Sequence, residues 1–507
     1  MKKFERGSTR IFTYISIVIF GLLFYHSLSI TGENSGEWWD EHVFFRNESI
    51  VWSLICIALF LCGFVFIGII YDRFLCRWKR NFFLIAALVV SYAFSVYWIY
   101  ANPVAPEGDQ LMVSQYANAF NMGDFRGFNK GQYIARYPQQ LGLVTFLRVF
   151  YTIFGESNYQ AYYHFSALMI PLIVLSGCMI VRHITGRNGK AELFYLILAV
   201  CCVPMYPYVG FFYGEIPSTA LAIVSAWLFL SLMEKFSYPK LITMGVCLGV
   251  AVQFRKNVLV MVIAFVIVAV VRWIQNRSKE NLLMLLSVVG GVLLLQGALR
   301  LVYYDKYVED AEAVPALSFI VMGLNDDYGY SGWYNSYSLH TFAAYDDSTE
   351  AMMPQMKADL QTYFNLYKSD TSYAVDFFTR KMNAQWNTPM YQCMTMNKNT
   401  VGEQAKLVQT LRYRARTGLL IERVMKVYQM AMYASILYLL ISKRKEWESV
   451  GKYLLLIASL GGFFFSMLWE AKTRYVFPYL LIMIPYFAVG LEALISQAKA
   501  RIGCKEV

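Results

Sequence analysis

Long uninterrupted apolar runs constrain this chain more than any other feature of its sequence. Many of them reach the roughly 20 residues that an α-helix needs to cross the hydrocarbon core of a bilayer. The composition agrees, because 57% of the 507 residues are hydrophobic and only 16% are charged, whereas soluble domains have about 45–50% and about 25%. The sequence therefore predicts an all-α polytopic membrane protein and excludes a set of soluble domains.

About twelve membrane-spanning helices are predicted from these runs. The first run lacks a small-residue cleavage site, so we interpret it as a retained helix and not as a signal peptide. The predicted helices cover residues 12–30, 50–70, 83–101, 162–181, 191–212, 216–234, 238–254, 257–274, 281–303, 421–442, 452–469 and 475–495.

The distribution of basic residues predicts the orientation of these helices. The formal charge is +11, but Lys and Arg fall mostly in short segments between apolar runs. No basic stripe interleaved with aromatic residues indicates nucleic-acid binding. Short cytoplasmic segments of membrane proteins are enriched in Lys and Arg. We therefore expect both termini to be cytoplasmic.

Two long segments then face outward, residues 102–161 after the third helix and 304–420 after the ninth. In the first, Leu141 to Phe154 is apolar but too short to span, and is expected to lie along the outer interface as an amphipathic helix. The second begins with an aromatic cluster at 328–337 and continues with helix-like polar sequence from about 350 to 386. These segments divide the chain into an N-terminal helix pair (1–80), a core (81–303), a large loop (304–420) and a C-terminal three-helix part (421–507).

Carboxylates at the outer ends of the predicted helices are the candidate catalytic groups. A charge at this level is costly unless it is paired or lies in a wet cavity. Glu107 and Asp109 lie just beyond the third helix, where two prolines end the helix and a glycine permits a tight turn. Glu215 lies at the start of the sixth helix, where the helix dipole favours an anion. A capping role explains Asp109 and Glu215 equally well, so both interpretations stay open.

Basic residues at the same level are the candidate substrate-binding groups. Arg suits bidentate contacts to a phosphate and Lys supplies a point charge, so a membrane-embedded phosphate is their natural partner. The alternative for each of them is a side chain that reaches up to the outer lipid head groups. They are Arg136 in the first long loop, Arg255 and Lys256 between the seventh and eighth helices, and Lys472 and Arg474 between the last two.

Neither a metal motif nor a nucleotide motif accompanies these residues. The five histidines lack metal-binding spacing, and no Walker or dinucleotide-binding glycine pattern is present. The pairs Asp326–Asp327 and Asp346–Asp347 allow a divalent cation, although solvated turns explain them as well. A catalyst that faces outward without a nucleotide needs an activated donor already in the membrane.

Four short motifs occur at the outer ends of the predicted helices. They are Glu107-Gly-Asp109-Gln110 with 121–125 behind it, Tyr133 to Pro138, Tyr213 to Pro217, and Glu470 to Pro478. Their order and common level, over residues 81–495, resemble the GT-C superfamily of membrane glycosyltransferases, in particular family 39-like enzymes related to protein O-mannosyltransferases and bacterial aminoarabinose transferases.

The resemblance implies an inverting transferase that uses a polyprenyl-phosphate sugar on the outer face. In this chain Asp109 matches the loop carboxylate that serves as catalytic base, and Glu215 matches a second acidic position. Arg474 and Tyr475 match an Arg-Tyr pair near the lipid phosphate, and Tyr137 follows Arg136 in the first-loop motif.

Two departures from the family pattern matter. The acidic loop follows the third helix, whereas family members usually carry it after the first, so residues 1–80 would be an added helix pair. The loop reads Glu-Gly-Asp-Gln where Asp-Glu is commoner, which leaves open whether Glu107 or Asp109 is the base.

We therefore expect a hexosyltransferase-type enzyme of the plasma membrane that moves a sugar from a polyprenyl-phosphate donor to a glycan, lipid or protein acceptor of the cell envelope. Such a reaction needs a carboxylate to accept the acceptor proton and cations to stabilise the departing phosphate. The alternatives are an envelope polysaccharide polymerase or ligase with a diphosphate-linked donor, and a transporter or flippase of lipid-linked sugars. A transporter is expected to show repeated halves and charged residues at mid-membrane, whereas the candidates here cluster at one face.

Overall fold

The computed structural model of the chain describes residues 2–34, 41–327, 329–396, 398–443 and 449–501. The N-terminal part contains α1 (Lys2–Ser29), the antiparallel strands β1 (Ile30–Asn34) and β2 (Val43–Asn47), α2 (Ile50–Arg73) and α3 (Arg80–Ala101). The first long loop contains α4 (Asp109–Asn121), α5 (Tyr133–Arg136) and α6 (Leu141–Phe154).

The middle of the chain is a run of six long helices. They are α7 (Tyr159–Thr185), α8 (Gly189–Val200), α9 (Glu215–Glu234), α10 (Tyr238–Phe254), α11 (Leu259–Asn276) and α12 (Lys279–Val302). The second long loop contains α13 (Ala316–Gly323), the antiparallel strands β3 (Asp326–Asp327) and β4 (Tyr330–Ser331), α14 (Tyr337–Ala344), α15 (Thr349–Ser369), α16 (Thr371–Trp386) and α17 (Lys406–Arg412). The chain continues with α18 (Arg416–Lys443), α19 (Leu454–Leu468) and α20 (Thr473–Arg501).

The all-α polytopic class is confirmed. Within the described residues, ten helices are long and apolar enough to cross a membrane. Of the two remaining predicted spans, one is a broken helix and the other is a short helix. The fifth is α8 followed by short 3₁₀ turns up to Gly210, with a bend of 54°. Pro204 and Pro207 start these turns, because proline cannot continue a helical hydrogen-bond ladder. The seventh is α10, which has only 17 residues.

The long loops are built from helices much as their sequences predict. The short apolar stretch is α6, whose Leu143, Val144 and Leu147 are fully buried, so that this helix packs on α4 and α10. The polar stretch is split into α15 and α16 at Asp370, whose side chain accepts a hydrogen bond of 2.9 Å from the Tyr373 amide. Within the aromatic cluster at 328–337, Tyr328 lies outside the described residues.

Small residues bring α10 and α12 into close contact. A Cβ atom on Gly249 would lie 2.5 Å from the carbonyl oxygen of Gly291, and a Cβ on Gly291 would overlap the carbonyl of Gly245. The Ser287 hydroxyl adds a hydrogen bond of 2.8 Å to the Leu241 carbonyl. Contacts of this kind hold membrane helices together where lipid removes the hydrophobic driving force.

Gly291→Ala is expected to lower the melting temperature of the purified protein in detergent, because the added methyl group meets backbone of α10 and overpacking costs about 1–3 kcal/mol. The neighbouring variant Gly290→Ala is the matched control, since a Cβ there has nothing within 4 Å. Equal melting temperatures for the two variants would contradict the close packing.

Both long loops meet at one end of the helix bundle, which we call the loop end. The backbone of 103–105 pairs with that of 399–401 through hydrogen bonds of 2.9 and 3.0 Å. Arg136 donates two hydrogen bonds, of 3.0 and 2.9 Å, to the Asp347 carboxylate. The β1–β2 hairpin packs against α16 at the same end, while α1 and α2 pack against α18. The division of the chain at residues 80, 303 and 420 stays a prediction.

Candidate functional site

A small cavity lies at the loop end, where α9, α11 and α20 begin. Glu215, Arg255, Arg474 and Tyr475 all line it. The sequence places these residues in three segments far apart in the chain, and the fold brings them together. The rest of the lining is mostly apolar, so charges inside the cavity are only weakly screened by water.

Glu215 and Arg255 form a buried pair in this cavity. Glu215 is the first residue of α9 and is 3% exposed. It follows Gly214, whose φ of 92° allows the sharp turn into the helix. Its Oε1 lies 3.2 Å from Arg255 Nη2, but within the described residues neither carboxylate oxygen accepts a hydrogen bond. The carboxylate therefore has acceptor capacity left for a ligand.

Arg474 adds a second cation, held among aromatic rings. Its Cζ lies 5.7 Å from the ring centres of Phe211 and Tyr213 and 5.3 Å from that of Tyr475. The Cζ of Arg255 lies 4.5 Å from the centre of the Tyr213 ring. Among the residues that line the cavity, two guanidinium groups therefore outnumber one carboxylate. A bound phosphodiester with one negative charge would balance this difference in charge.

Asp109 is linked to this cavity through two tyrosines. It is the first residue of α4 and its side chain is exposed. The Tyr133 hydroxyl donates to Asp109 Oδ1 at 3.3 Å and lies 3.4 Å from the Tyr213 hydroxyl. Gln140 donates to that second hydroxyl at 2.5 Å. Tyr213 therefore contacts Tyr133, which holds Asp109, through its hydroxyl and Arg255 through its ring.

Glu107, the other candidate base, lies in a different charge environment. Its side chain is half-buried, and burial raises its pKa. The charged groups that act on it are Lys398, Glu41 and Arg412, and none of them lines the cavity. Asp109, in contrast, is connected through Tyr133 to Tyr213, whose ring lies beside Arg255.

Sequence reasoning missed Glu41, which joins the site from the segment before β2. Lys472 Nζ donates to Glu41 Oε2 at 2.9 Å across 431 positions of sequence, and Lys398 Nζ lies 3.5 Å from Oε1. Burial raises the pKa of Glu41, but Lys472, Arg474 and Lys398 outweigh it and lower the pKa to about 2. Lys472 is therefore engaged by a carboxylate and not free for a phosphate. No motif marks Glu41, because its partners are assembled only by the fold.

The Glu41 cluster predicts a dependence of stability on pH. A depressed pKa in the folded state stabilises the protein above the ordinary pKa of 4.5, and this contribution is lost as the pH falls toward 2. We expect Glu41→Gln to lower the melting temperature at pH 7, and the difference from the unmodified protein to shrink between pH 4.5 and 2. The exposed Glu309→Gln is the control and should have little effect. A Glu41→Gln difference that stays constant with pH would contradict this assignment.

The turn that carries Lys472 and Arg474 is held by a second residue that the sequence analysis missed. Lys381 of α16 is fully buried. Its Nζ donates to the carbonyls of Met467 at 2.9 Å and Trp469 at 2.8 Å, and to that of Gly323. A lysine in a polar helix gives no sequence signal for this role, because its acceptors are carbonyl groups at the end of another helix.

Four predicted substrate-binding residues, Lys472 and three others, do not line this cavity. Arg136 is bound to Asp347, and the Tyr137 ring lies 5.2 Å from that of Tyr133. Lys256 lines a separate cavity beyond the turn at 255–256. The acidic pairs considered for a cation also have partners, since Lys130 lies 2.6 Å from Asp346 and Arg380 lies 2.8 Å from Asp326. In the part of the chain that the structure describes, no group of three or more His, Cys, Asp or Glu side chains is placed to hold a metal ion.

One comparison with known protein families agrees with the resemblance seen in the motifs. Residues 142–296 match the family described as dolichyl-phosphate-mannose-protein mannosyltransferase, and this segment contains Glu215 and Arg255. No curated protein sequence matches the chain. Among solved structures, the archaeal oligosaccharyltransferase AglB from Archaeoglobus fulgidus, in complex with an inhibitory peptide and a dolichol-phosphate, is 15% identical with a TM-score of 0.41. That alignment covers 84% of this chain and 52% of AglB, so the chain spans about half of its length. The family match confirms the resemblance of this multi-pass membrane protein to the GT-C superfamily of membrane glycosyltransferases.

Proposed function

We propose that this protein is a plasma-membrane glycosyltransferase that moves a sugar from a polyprenyl-phosphate donor to an acceptor of the cell envelope. The observation that supports it most is the cavity in which Arg255 and Arg474 outnumber Glu215. It lies at the ends of membrane-spanning helices, at the level where the phosphate of a membrane-anchored donor would be. The matched family acts on a donor of this chemical class by its description.

The reaction assigns one role to each group. A hydroxyl oxygen of the acceptor forms a bond to the anomeric carbon of the sugar, and its proton passes to the Asp109 carboxylate. The bond from that carbon to the phosphate oxygen breaks, and its electron pair stays on the phosphate. Arg255 and Arg474 stabilise the charge that develops there, which is largest in the transition state. Attack from the side opposite the phosphate inverts the anomeric centre.

The remaining residues position these groups. Glu215 keeps the Arg255 guanidinium in the cavity through their contact of 3.2 Å. Tyr133 holds the Asp109 carboxylate by its hydroxyl at 3.3 Å. Tyr213 lies between the base and the cations, since Tyr133 approaches its hydroxyl and Arg255 lies over its ring. The sugar would then bind beside Tyr213.

The donor class is tested with the full-length protein reconstituted in lipid nanodiscs. A membrane extract supplies the acceptor. A panel of sugars on polyprenyl monophosphate is compared with the same sugars on polyprenyl diphosphate, and the released lipid is quantified. We expect release of polyprenyl phosphate from at least one monophosphate donor and no cleavage of the diphosphate donors. Cleavage of diphosphate donors alone would support a polymerase or ligase. Movement of the donors across the bilayer without cleavage would support a flippase.

A further inference from the structure

A second, larger cavity lies at the loop end near the first. Lys256 lines it from the turn before α11, and Gln296, Arg300 and Tyr304 line it from the end of α12 and the residues after it. Gln139 of the first long loop closes another side. None of these residues has a role in the reaction described above.

The two cations of this cavity lack a counter-ion. Lys256 Nζ donates to the neutral amide oxygens of Gln296 at 2.7 Å and Gln253 at 3.3 Å. Within the described residues, neither Lys256 nor Arg300 forms an ion pair with a carboxylate. Arg300 is close enough to repel the Lys256 charge. Two like charges at a partly desolvated site are unfavourable unless an anion joins them.

The cavity borders the lipid-facing side of α12. Leu293, Leu294 and Leu301 of this helix are 63%, 75% and 77% exposed, and Tyr304 just beyond it is 80% exposed. Exposed leucines followed by an exposed tyrosine are typical of a helix that leaves the hydrocarbon core at the head-group level. An anion that reaches Lys256 and Arg300 from this side would be the head group of a membrane lipid.

One layer of residues separates the two cavities. Arg255 has the extended dihedral angles φ −147° and ψ 120°, and consecutive residues of an extended backbone present their side chains in opposite directions. Arg255 accordingly lines the first cavity and Lys256 the second. Two neighbouring residues of the first long loop also lie at different cavities. Gln139 lines the second cavity, whereas Gln140 donates a hydrogen bond to Tyr213 beside the first.

We propose that the second cavity binds the phosphate head group of an anionic membrane lipid. This inference goes beyond the proposed function, because it assigns a ligand to a cavity outside the site of the proposed reaction. Lys256 and Arg300 neutralise the phosphate, and the acyl chains lie against α12.

Native mass spectrometry of lipid binding to the full-length protein in detergent tests this proposal. The measurement does not require catalytic turnover. The probes are dioleoylphosphatidylglycerol, dioleoylphosphatidylcholine with the same chains, and a polyprenyl phosphate. We expect one phosphatidylglycerol to bind at least tenfold more tightly than phosphatidylcholine. The double variant Lys256→Gln/Arg300→Gln should lose this preference, since each cation near a membrane surface contributes roughly a fivefold change in affinity, and should keep polyprenyl phosphate binding.

Lys279→Gln, at the opposite end of α12, is the matched control and should keep the preference. If the double variant is not recovered folded, the exposed single variant Arg300→Gln replaces it, with a loss of about fivefold expected. Equal binding of the two phospholipids by the unmodified protein, or loss of polyprenyl phosphate binding in place of phosphatidylglycerol binding, would overturn the inference. Failure of the unmodified protein to bind polyprenyl phosphate would instead count against the proposed function itself.

Discussion

Asp109→Asn is expected to abolish sugar transfer while the protein stays folded and still binds the donor. The amide oxygen of Asn can accept the hydrogen bond from Tyr133, which is 3.3 Å long in the structure, so the local geometry is kept. It cannot accept the proton of the acceptor hydroxyl, and loss of a general base costs about 10²–10⁴-fold in rate. The measurement is the single-turnover release of polyprenyl phosphate, with polyprenyl phosphate binding measured in parallel.

Two further variants test whether Asp109, and not a neighbouring residue, is the general base. Glu107→Gln is the matched carboxylate control, because the charges that act on Glu107 belong to Lys398, Glu41 and Arg412, and it should retain most of the activity. Tyr133→Phe removes the hydroxyl that holds Asp109 and should cause a smaller loss than Asp109→Asn. An active Asp109→Asn protein together with an inactive Glu107→Gln protein would transfer the base role to Glu107.

The sequence predicts the helices of this fold well because membrane helices are marked by long apolar runs. A run of about 20 apolar residues has no stable alternative in a bilayer, so each of the twelve predicted spans coincides with helix in the structure. The break after α8 was not predicted, although Pro204 and Pro207 lie inside the fifth span. In a window of mean hydropathy, two prolines among apolar residues leave the average almost unchanged, whereas their effect on hydrogen bonding is local.

The candidate site is predictable only in part. Glu215, Arg255 and Arg474 stand out in sequence because each is a charge in a short turn between apolar runs, where few charges are tolerated. Glu41 and Lys381 stand in polar segments, where charged residues are ordinary, and their partners are 431 and about 90 positions away. The sequence also does not predict that Arg255 and Lys256 line different cavities, because this depends on the extended backbone at that turn.

Arg255→Met is expected to have a large effect on both stability and transfer, and the two effects are separable. The variant leaves the Glu215 carboxylate, 3% exposed, without the guanidinium that lies 3.2 Å away. Removing one partner of a buried ion pair typically costs about 3–5 kcal/mol, because the other charge remains buried and unpaired. The melting temperature in detergent should fall accordingly, and transfer should fall by about 10²–10³-fold, as when one donor to a developing anion is removed.

The double variant Arg255→Met/Glu215→Gln discriminates a structural arginine from a catalytic one. It removes both charges of this pair, so the melting temperature should return most of the way to that of the unmodified protein. Transfer should stay low, because the departing phosphate still lacks one of its two cations. If the double variant regained transfer together with stability, Arg255 would serve only to neutralise Glu215. Recovery of stability without recovery of transfer would assign the Arg255 guanidinium to the phosphate. Glu215 would then be the residue that holds this cation in an apolar cavity before the donor binds.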